Sequence, residues 1–366
     1  MSKEELMYQI LNGLENKIPT LNVAIDTGKA FTKYYHKKLV DGKLQGITDK
    51  FPSAIGKACD DEMGANTALP FSTNIPGKNI PYYIDDPALC NIATTDDNEK
   101  NGMGRLSGKD SNHDGEISTL CACLAICKVM DANNTRTADV NVALGMPISE
   151  FFKHPDKDSQ QKYFETILPI DKTIMCSKNG ETYSFTIRKN AVCSETYAAF
   201  INSNGNENRN CIVVDIGGNN IQFICFTDGR VITDDYKTTT VKGGANKLVR
   251  MIIDAMNVAQ FDPYFYKPAM IMSWLSDPSK ITLAKDDAKL FNEIVSKNKE
   301  TYFNYIINEY FNTASGKYAN EIRRGHKIAF IGGGSVLLKD RITKVKNAII
   351  LGGGEYANVK GFYDCL

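Results

Sequence analysis

With 366 residues the chain is too long for one ordinary hydrophobic core, so about two domains are expected. Its 43 basic and 43 acidic residues cancel, which excludes a global field drawing the chain onto nucleic acid or an anionic membrane. A composition of 42% hydrophobic and 23% charged residues is that of a globular protein and excludes a disordered or membrane-embedded class.

The first residues, MSKEELMYQILNGLENKIPT, place two acids in the first five positions and hold no long apolar run. Neither a signal peptide nor a spanning helix is expected there, and the expected location is cytoplasmic. Ser2 and Glu5 form a capping box before Leu6, Met7, Ile10, Leu11 and Leu14, which share one face of a helix over 2–14. Its charges are mostly acidic, so packing on the body or a partner is favoured over membrane binding. A helical extension is therefore expected over 1–20, ahead of the first core strand.

From Asn22 the pattern becomes short strands, at 22–25, 30–35 and 80–84, with loops at 56–79 and 94–113 where Gly, Asn, Asp and Thr concentrate. Ile117 to Met130 is a continuous apolar run of helical length. Strands are expected at 138–145 and 182–188 with a helix at 158–168 between them, then a short helix at 194–200 before the polar stretch 202–210. The second half opens as the first does, with Cys211-Ile-Val-Val-Asp215-Ile-Gly-Gly echoing Asn22-Val-Ala-Ile-Asp26-Thr-Gly. Two copies of a strand, an aspartate, a glycine turn and a return strand indicate a duplicated architecture. Helices are expected at 244–258, 286–298 and 300–313. A strand ending at Ile331 runs into Gly332-Gly333-Gly334-Ser335, and a further triple glycine starts at Gly352.

Ten cysteines, at 59, 90, 121, 123, 127, 176, 193, 211, 225 and 365, form no Cys-x-x-Cys pair and have no histidines at zinc spacing. They read as buried, reduced thiols. Asp110-Ser-Asn112-His-Asp114-Gly115 matches the first half of a calcium loop, but position twelve is Cys121 rather than an acid, so the stretch reads as a loop and helix start. No glycine lies five residues before Gly108, so no Walker A loop is completed around Lys109.

Glycine after a strand lets backbone N–H groups converge on an anion. An aspartate beside such a turn repels phosphate but holds Mg²⁺ or its water shell. Lys33 on the return strand adds a positive charge for the same phosphates. The turn without an aspartate, at Gly332, suits a neutral nucleoside. Any one of these corners is an ordinary hairpin; three in this order are hard to obtain by accident.

On these residues the chain resembles the actin, Hsp70 and sugar kinase ATPase superfamily, and within it the ParM-type bacterial actins. Asp26-Thr27-Gly28 with Lys33 is similar to the family's first phosphate loop, Asp215-Ile-Gly217-Gly218-Asn219-Asn220 to its second, and Gly332-Gly333-Gly334-Ser335 to its adenosine motif. The tail Tyr356-Ala-Asn-Val-Lys-Gly361-Phe-Tyr resembles the segment by which ParM-like chains return to the first domain. The resemblance implies an α/β, actin-like two-domain fold with duplicated RNase H-like cores around a central nucleotide cleft, the first domain over 21–203 plus 355–366 and the second over 204–354.

It also implies roles. Asp26 and Asp215 would hold Mg²⁺ through water, and Asp215 would orient the attacking water. Glu195 would position or polarise that water, although Ser194 stands where the family often has proline, and Glu195 fits a solvated helix start equally well. Gly243 and Gly244 before Lys247 resemble a helix start that contacts ribose and purine; Lys247 also fits a surface helix charge. The implied ligands are ATP or GTP with Mg²⁺, and the implied activity is nucleotide hydrolysis coupled to filaments of the chain itself. Those filaments would segregate plasmid DNA through a DNA-binding adaptor, with no direct contact to nucleic acid or membrane. The alternatives are a small-molecule kinase or phosphatase, for which no sugar or acid pocket is visible, and a membrane-bound division actin, which would want a basic amphipathic terminus.

Overall fold

The computed structural model describes residues 18–28, 31–53, 55–57, 71–77, 82–84, 114–203, 209–233, 238–261, 266, 268–312 and 314–366. The expected N-terminal helix, the polar segment 94–113 and most of the calcium-like stretch lie outside them. Two compact units divide the chain. Unit 1 is Met1–Met146, Glu150–Ser194 and Asn358–Leu366, and unit 2 is Pro147–Ser149 and Glu195–Ala357.

Unit 1 begins with β1 (Thr20–Thr27), β2 (Phe31–Val40) and β3 (Lys43–Pro52), then β4 (Ile55–Lys57), β5 (Ser72–Thr73) and β6 (Tyr82–Ile84). There follow α1 (Asp114–Ala132), β7 (Thr137–Met146), α2 (Ile148–Phe151, whose first residues belong to unit 2), α3 (Lys157–Ile167), β8 (Thr173–Lys178) and β9 (Glu181–Ser194). The main sheet runs β3-β2-β1-β7-β9-β8-β5. β1 to β3 are an antiparallel meander, and β7 and β9 then add in parallel. β1 is central, so Val23, Ala24 and Ile25 are buried on both faces, which is why it reads as an unbroken apolar run. α1 is buried nearly all round, from Ile117 to Met130, as its continuous apolar sequence requires. Cys121, Cys123, Cys127 and Cys176 pack in this core as free thiols, whereas Cys365 is exposed.

Three expectations are corrected here. The segment read as a loop over 56–79 contributes to β4 and contains β5, and β4 pairs with β6 as a separate ribbon. β3 and β8, unforeseen, are real strands. β3 lies at the sheet edge and carries Lys43, Asp49 and Lys50, so solvent on one side removed the apolar signal.

His36 on β2 is 1% exposed, and burial lowers its pKa to about 4. The unfolded chain therefore takes up a proton that the folded one refuses. Unit 1 keeps its full stability above about pH 6.5 and loses up to about 3 kcal/mol as the pH falls towards 4. Urea unfolding at pH 7.5 and 5 should show the loss, and His36→Phe should reduce it.

Unit 2 contains α4 (Tyr197–Asn202), β10 (Cys211–Ile216), β11 (Asn220–Thr227), β12 (Arg230–Val231), β13 (Thr239–Lys242), α5 (Ala245–Val258) and α6 (Pro268–Ser276). After these come α7 (Lys285–Ile306), α8 (Ala319–Arg323), β14 (Lys327–Ile331), α9 (Gly333–Leu337), α10 (Lys339–Ile342), β15 (Ala348–Ile350) and α11 (Ala357–Tyr363), whose later residues belong to unit 1. The sheet order is β12-β11-β10-β14-β15, with β13 also on β11. β10 and β11 are antiparallel, and β14 and β15 add in parallel.

The plan of unit 1 is thus repeated, with β12 and β13 together replacing the third meander strand. The two helices expected at 286–298 and 300–313 are one, α7, continued by a π turn over Ile307–Phe311. No glycine or proline interrupts the sequence there, so nothing breaks the helix. The π turn feeds an aromatic cluster in which Phe223 of β11 meets Tyr310 at 4.6 Å and Tyr318 at 5.4 Å between ring centroids. Such clusters add edge and offset-stacking attraction to plain burial.

Candidate functional site

The duplicated hairpins close on the same register. Asp26 lies opposite Lys33 and Thr27 opposite Thr32; Asp215 lies opposite Gln222 and Ile216 opposite Ile221. Each carboxylate thus ends a strand that is antiparallel to its return strand on one side and parallel to β7 or β14 on the other.

In unit 1, Asp26 is 6% exposed and Lys33 is flanked by it and by Lys50 of β3, which is also opposite Lys33. The Thr27 hydroxyl donates to Ser118 Oγ on α1 at 3.4 Å, and Thr32 shares a buried 2.8 Å hydrogen bond with Ser53. Gly28 is required by close approach, because a Cβ there would lie 2.8 Å from the Phe31 carbonyl oxygen. This end of the sheet therefore brings Asp26, Thr27, Gly28 and Lys33 together.

In unit 2 the loop after Asp215 is locked onto the start of α5. Gly243 and Gly244 N–H donate to the Asn219 carbonyl at 3.1 and 2.9 Å, Ala245 to Gly217 at 2.9 Å and Asn246 to Gly218 at 2.7 Å. The orphan donors of the helix start are thus spent on loop carbonyls. The loop's own N–H groups at Gly218 and Asn219 donate to no group among the described residues. They are what an anion would meet.

Gly244 makes this docking sterically possible, since a Cβ would lie 2.5 Å from the Gly217 carbonyl oxygen and 2.8 Å from Asn220 N. From α7, the Tyr302 hydroxyl donates to the Gly243 carbonyl at 2.7 Å. The ammonium of Lys247 lies 3.3 Å from the Tyr305 ring centroid, a cation–π contact that fixes one candidate nucleotide residue.

Asp215 is 4% exposed. Beside it Gly332 has φ +84°, and a Cβ there would overlap Asp215 Oδ1 and come within 2.8 Å of the Ile216 carbonyl oxygen. Gly333 and Gly334 open α9, and Gly334 packs on Ile216. The buried Ser335 hydroxyl donates to the Gly332 carbonyl at 2.7 Å, so it holds the turn in shape.

Glu195 joins the same end of unit 2 by a route the sequence does not announce. Tyr197 N–H donates to the Glu195 carbonyl at 2.6 Å, closing a γ-turn whose central residue, Thr196, has φ 64° and ψ −48°. For a β-branched residue this is a strained conformation, of the kind that accumulates where function requires it. Thr196 Oγ1 donates to Asp215 Oδ2 at 3.4 Å, and Gln222 Nε2 donates to Glu195 Oε2. Thr196 and Gln222 are the residues that motif reasoning missed.

A buried carboxylate, unclaimed amides and a backbone cradle without side chains are the donor set that suits a phosphate chain with a hydrated divalent cation. Among the described residues no group of three or more His, Cys, Asp or Glu side chains is placed to hold a metal ion directly, and no helix is long and apolar enough to cross a membrane.

Two α/β units built on the same Asp-ended hairpin, each continued by parallel strands, define the actin-like fold. Residues 24–197 match the family of actin like proteins, N terminal domain. No curated protein matches the chain in sequence. Among solved structures, ParM of Bacillus thuringiensis with ATP is similar over 94% of this chain and 98% of its own, with a TM-score of 0.65 and 12% identity. A non-polymerisable quadruple mutant of pCBH ParM matches over 94% and 98%, at TM-score 0.63 and 15% identity. AlfA from the B. subtilis plasmid pLS32, solved as a filament, matches over 93% and 97%, at TM-score 0.53 and 17% identity. The chain has the actin-like fold in the form these ParM-type structures share.

Proposed function

We propose that this chain is an ATPase that polymerises into nucleotide-dependent filaments and segregates plasmid DNA through a DNA-binding adaptor protein. The observation that carries the reading is the repeated hairpin register, which puts Asp26 and Asp215 at equivalent strand ends, each followed by a glycine turn. Similar structures hold ATP, AMPPNP or ADP, and AlfA is a filament, which supports both halves of the proposal.

Residue roles follow from chemistry. The Gly218 and Asn219 amides take phosphate oxygens, with Gly217 and Asn220 shaping the loop. Within unit 1, Thr27, Gly28 and Lys33 are the residues assigned to phosphate. Asp26 and Asp215 would hold Mg²⁺ through water, and that ion would supply positive charge to the phosphates. Glu195 polarises the attacking water. Gly243, Gly244, Lys247 and the Gly332–Ser335 turn take the nucleoside. Head-to-tail contacts that do not close produce a helical filament, and the balanced net charge leaves DNA contact to the adaptor.

Light scattering and pelleting with ATP, with ADP and without nucleotide test this reading. Filaments that form with ATP and disassemble as it is consumed are expected. A chain that stays monomeric at high micromolar concentration with ATP would overturn it.

A further inference from the structure

We propose that Gln222 is a positioning residue that sets the Glu195 carboxylate for attack by water on the terminal phosphate; this rests on the ATPase reading above. Gln222 lies within β11 between the buried Ile221 and Phe223 and is itself 8% exposed. An amide there must have both ends satisfied. Its Oε1 accepts the Ile148 backbone N–H at 2.9 Å, so its Nε2 must face the other way, where it donates to Glu195 Oε2. The Ile148 N–H can only donate, which fixes the orientation of the amide. The partner of Nε2 must then be an acceptor, which Glu195 Oε2 is.

The geometry is doubled one strand away. Asp215 and Gln222 are directly paired across β10 and β11, and they hold two consecutive residues of one turn. Asp215 accepts from Thr196, and Gln222 donates to Glu195. The strained γ-turn sets the direction in which the Glu195 side chain leaves the backbone, and Gln222 fixes where its carboxylate ends. A glutamine that merely satisfied the Ile148 N–H would need no acid at its other end.

The test uses the full chain with ATP. In Gln222→Leu, kcat should fall about 10–100-fold while the nucleotide Kd stays within about twofold of wild type. An unchanged kcat in an active protein, or a loss accounted for entirely by weaker binding, overturns the proposal. Where Gln222→Leu does not fold, a melting cycle decides. Gln222→Glu should lower the melting midpoint in the wild-type background, where two carboxylates meet, and have little effect beside Glu195→Gln, where donor and acceptor are exchanged. Equal losses in both backgrounds would show that the pair does not interact. A wild-type chain that turns over no nucleoside triphosphate fails the ATPase reading itself; an active one indifferent to Gln222 fails this inference alone.

Discussion

Asp215→Asn is expected to slow ATP turnover by roughly 10²–10³-fold or more while leaving the fold and nucleotide binding intact. The substitution keeps the volume of a side chain that is 4% exposed and keeps an oxygen to accept from Thr196. What it removes is the charge that, under the proposed function, would organise a hydrated cation and orient water. If the chain polymerises as proposed, filaments assembled with ATP should then persist, because the hydrolysis that would end their lifetime is blocked. Turnover assays and sedimentation over time measure both. Unchanged turnover would show that the buried carboxylate at the end of β10 is structural only.

Gly332→Ala is expected to destabilise unit 2 by about 2–4 kcal/mol and to abolish nucleotide binding. Two costs add. The φ of +84° is unfavourable for any residue with a side chain, and the new Cβ meets Asp215 Oδ1 and the Ile216 carbonyl. Neither neighbour has room to withdraw, since Ile216 is fully buried and Asp215 nearly so. Gly352→Ala is the control: it lies in another glycine-rich turn, where a Cβ would meet nothing within 4 Å. Urea unfolding should separate the two variants; equal stabilities would contradict the packing described around Asp215.

Sequence made part of this legible for physical reasons. Asp26 and Asp215 stand out because a carboxylate ending an apolar run followed by glycine is a costly pattern to keep in a core. The glycine turn at Gly332 stands out because a positive φ combined with close packing against Asp215 leaves room for glycine alone. α1 is readable because a helix buried all round has no polar face to blur it.

The misses have causes as definite. β8 is short and alternates with polar residues, and β3 is an exposed edge. The γ-turn at Thr196 has no sequence signature, because threonine gives no sign that it adopts φ 64°. Gln222 is not legible in the sequence because its significance lies in the register that sets it opposite Asp215, and register is a property of two strands that no local window contains.

The four hydrogen bonds between the Gly217–Asn219 loop and the segment that opens α5 have a mechanical consequence. They join a turn of a few residues to a stiff rod of 14 residues, about 21 Å long at 1.5 Å per residue. A lever multiplies angle into distance. If the turn settles by about 5°, the far end of a rod of that length travels about 2 Å. That far end is Val258, 86% exposed and apolar, so a rearrangement too small to see at the glycines becomes a change of address at the surface.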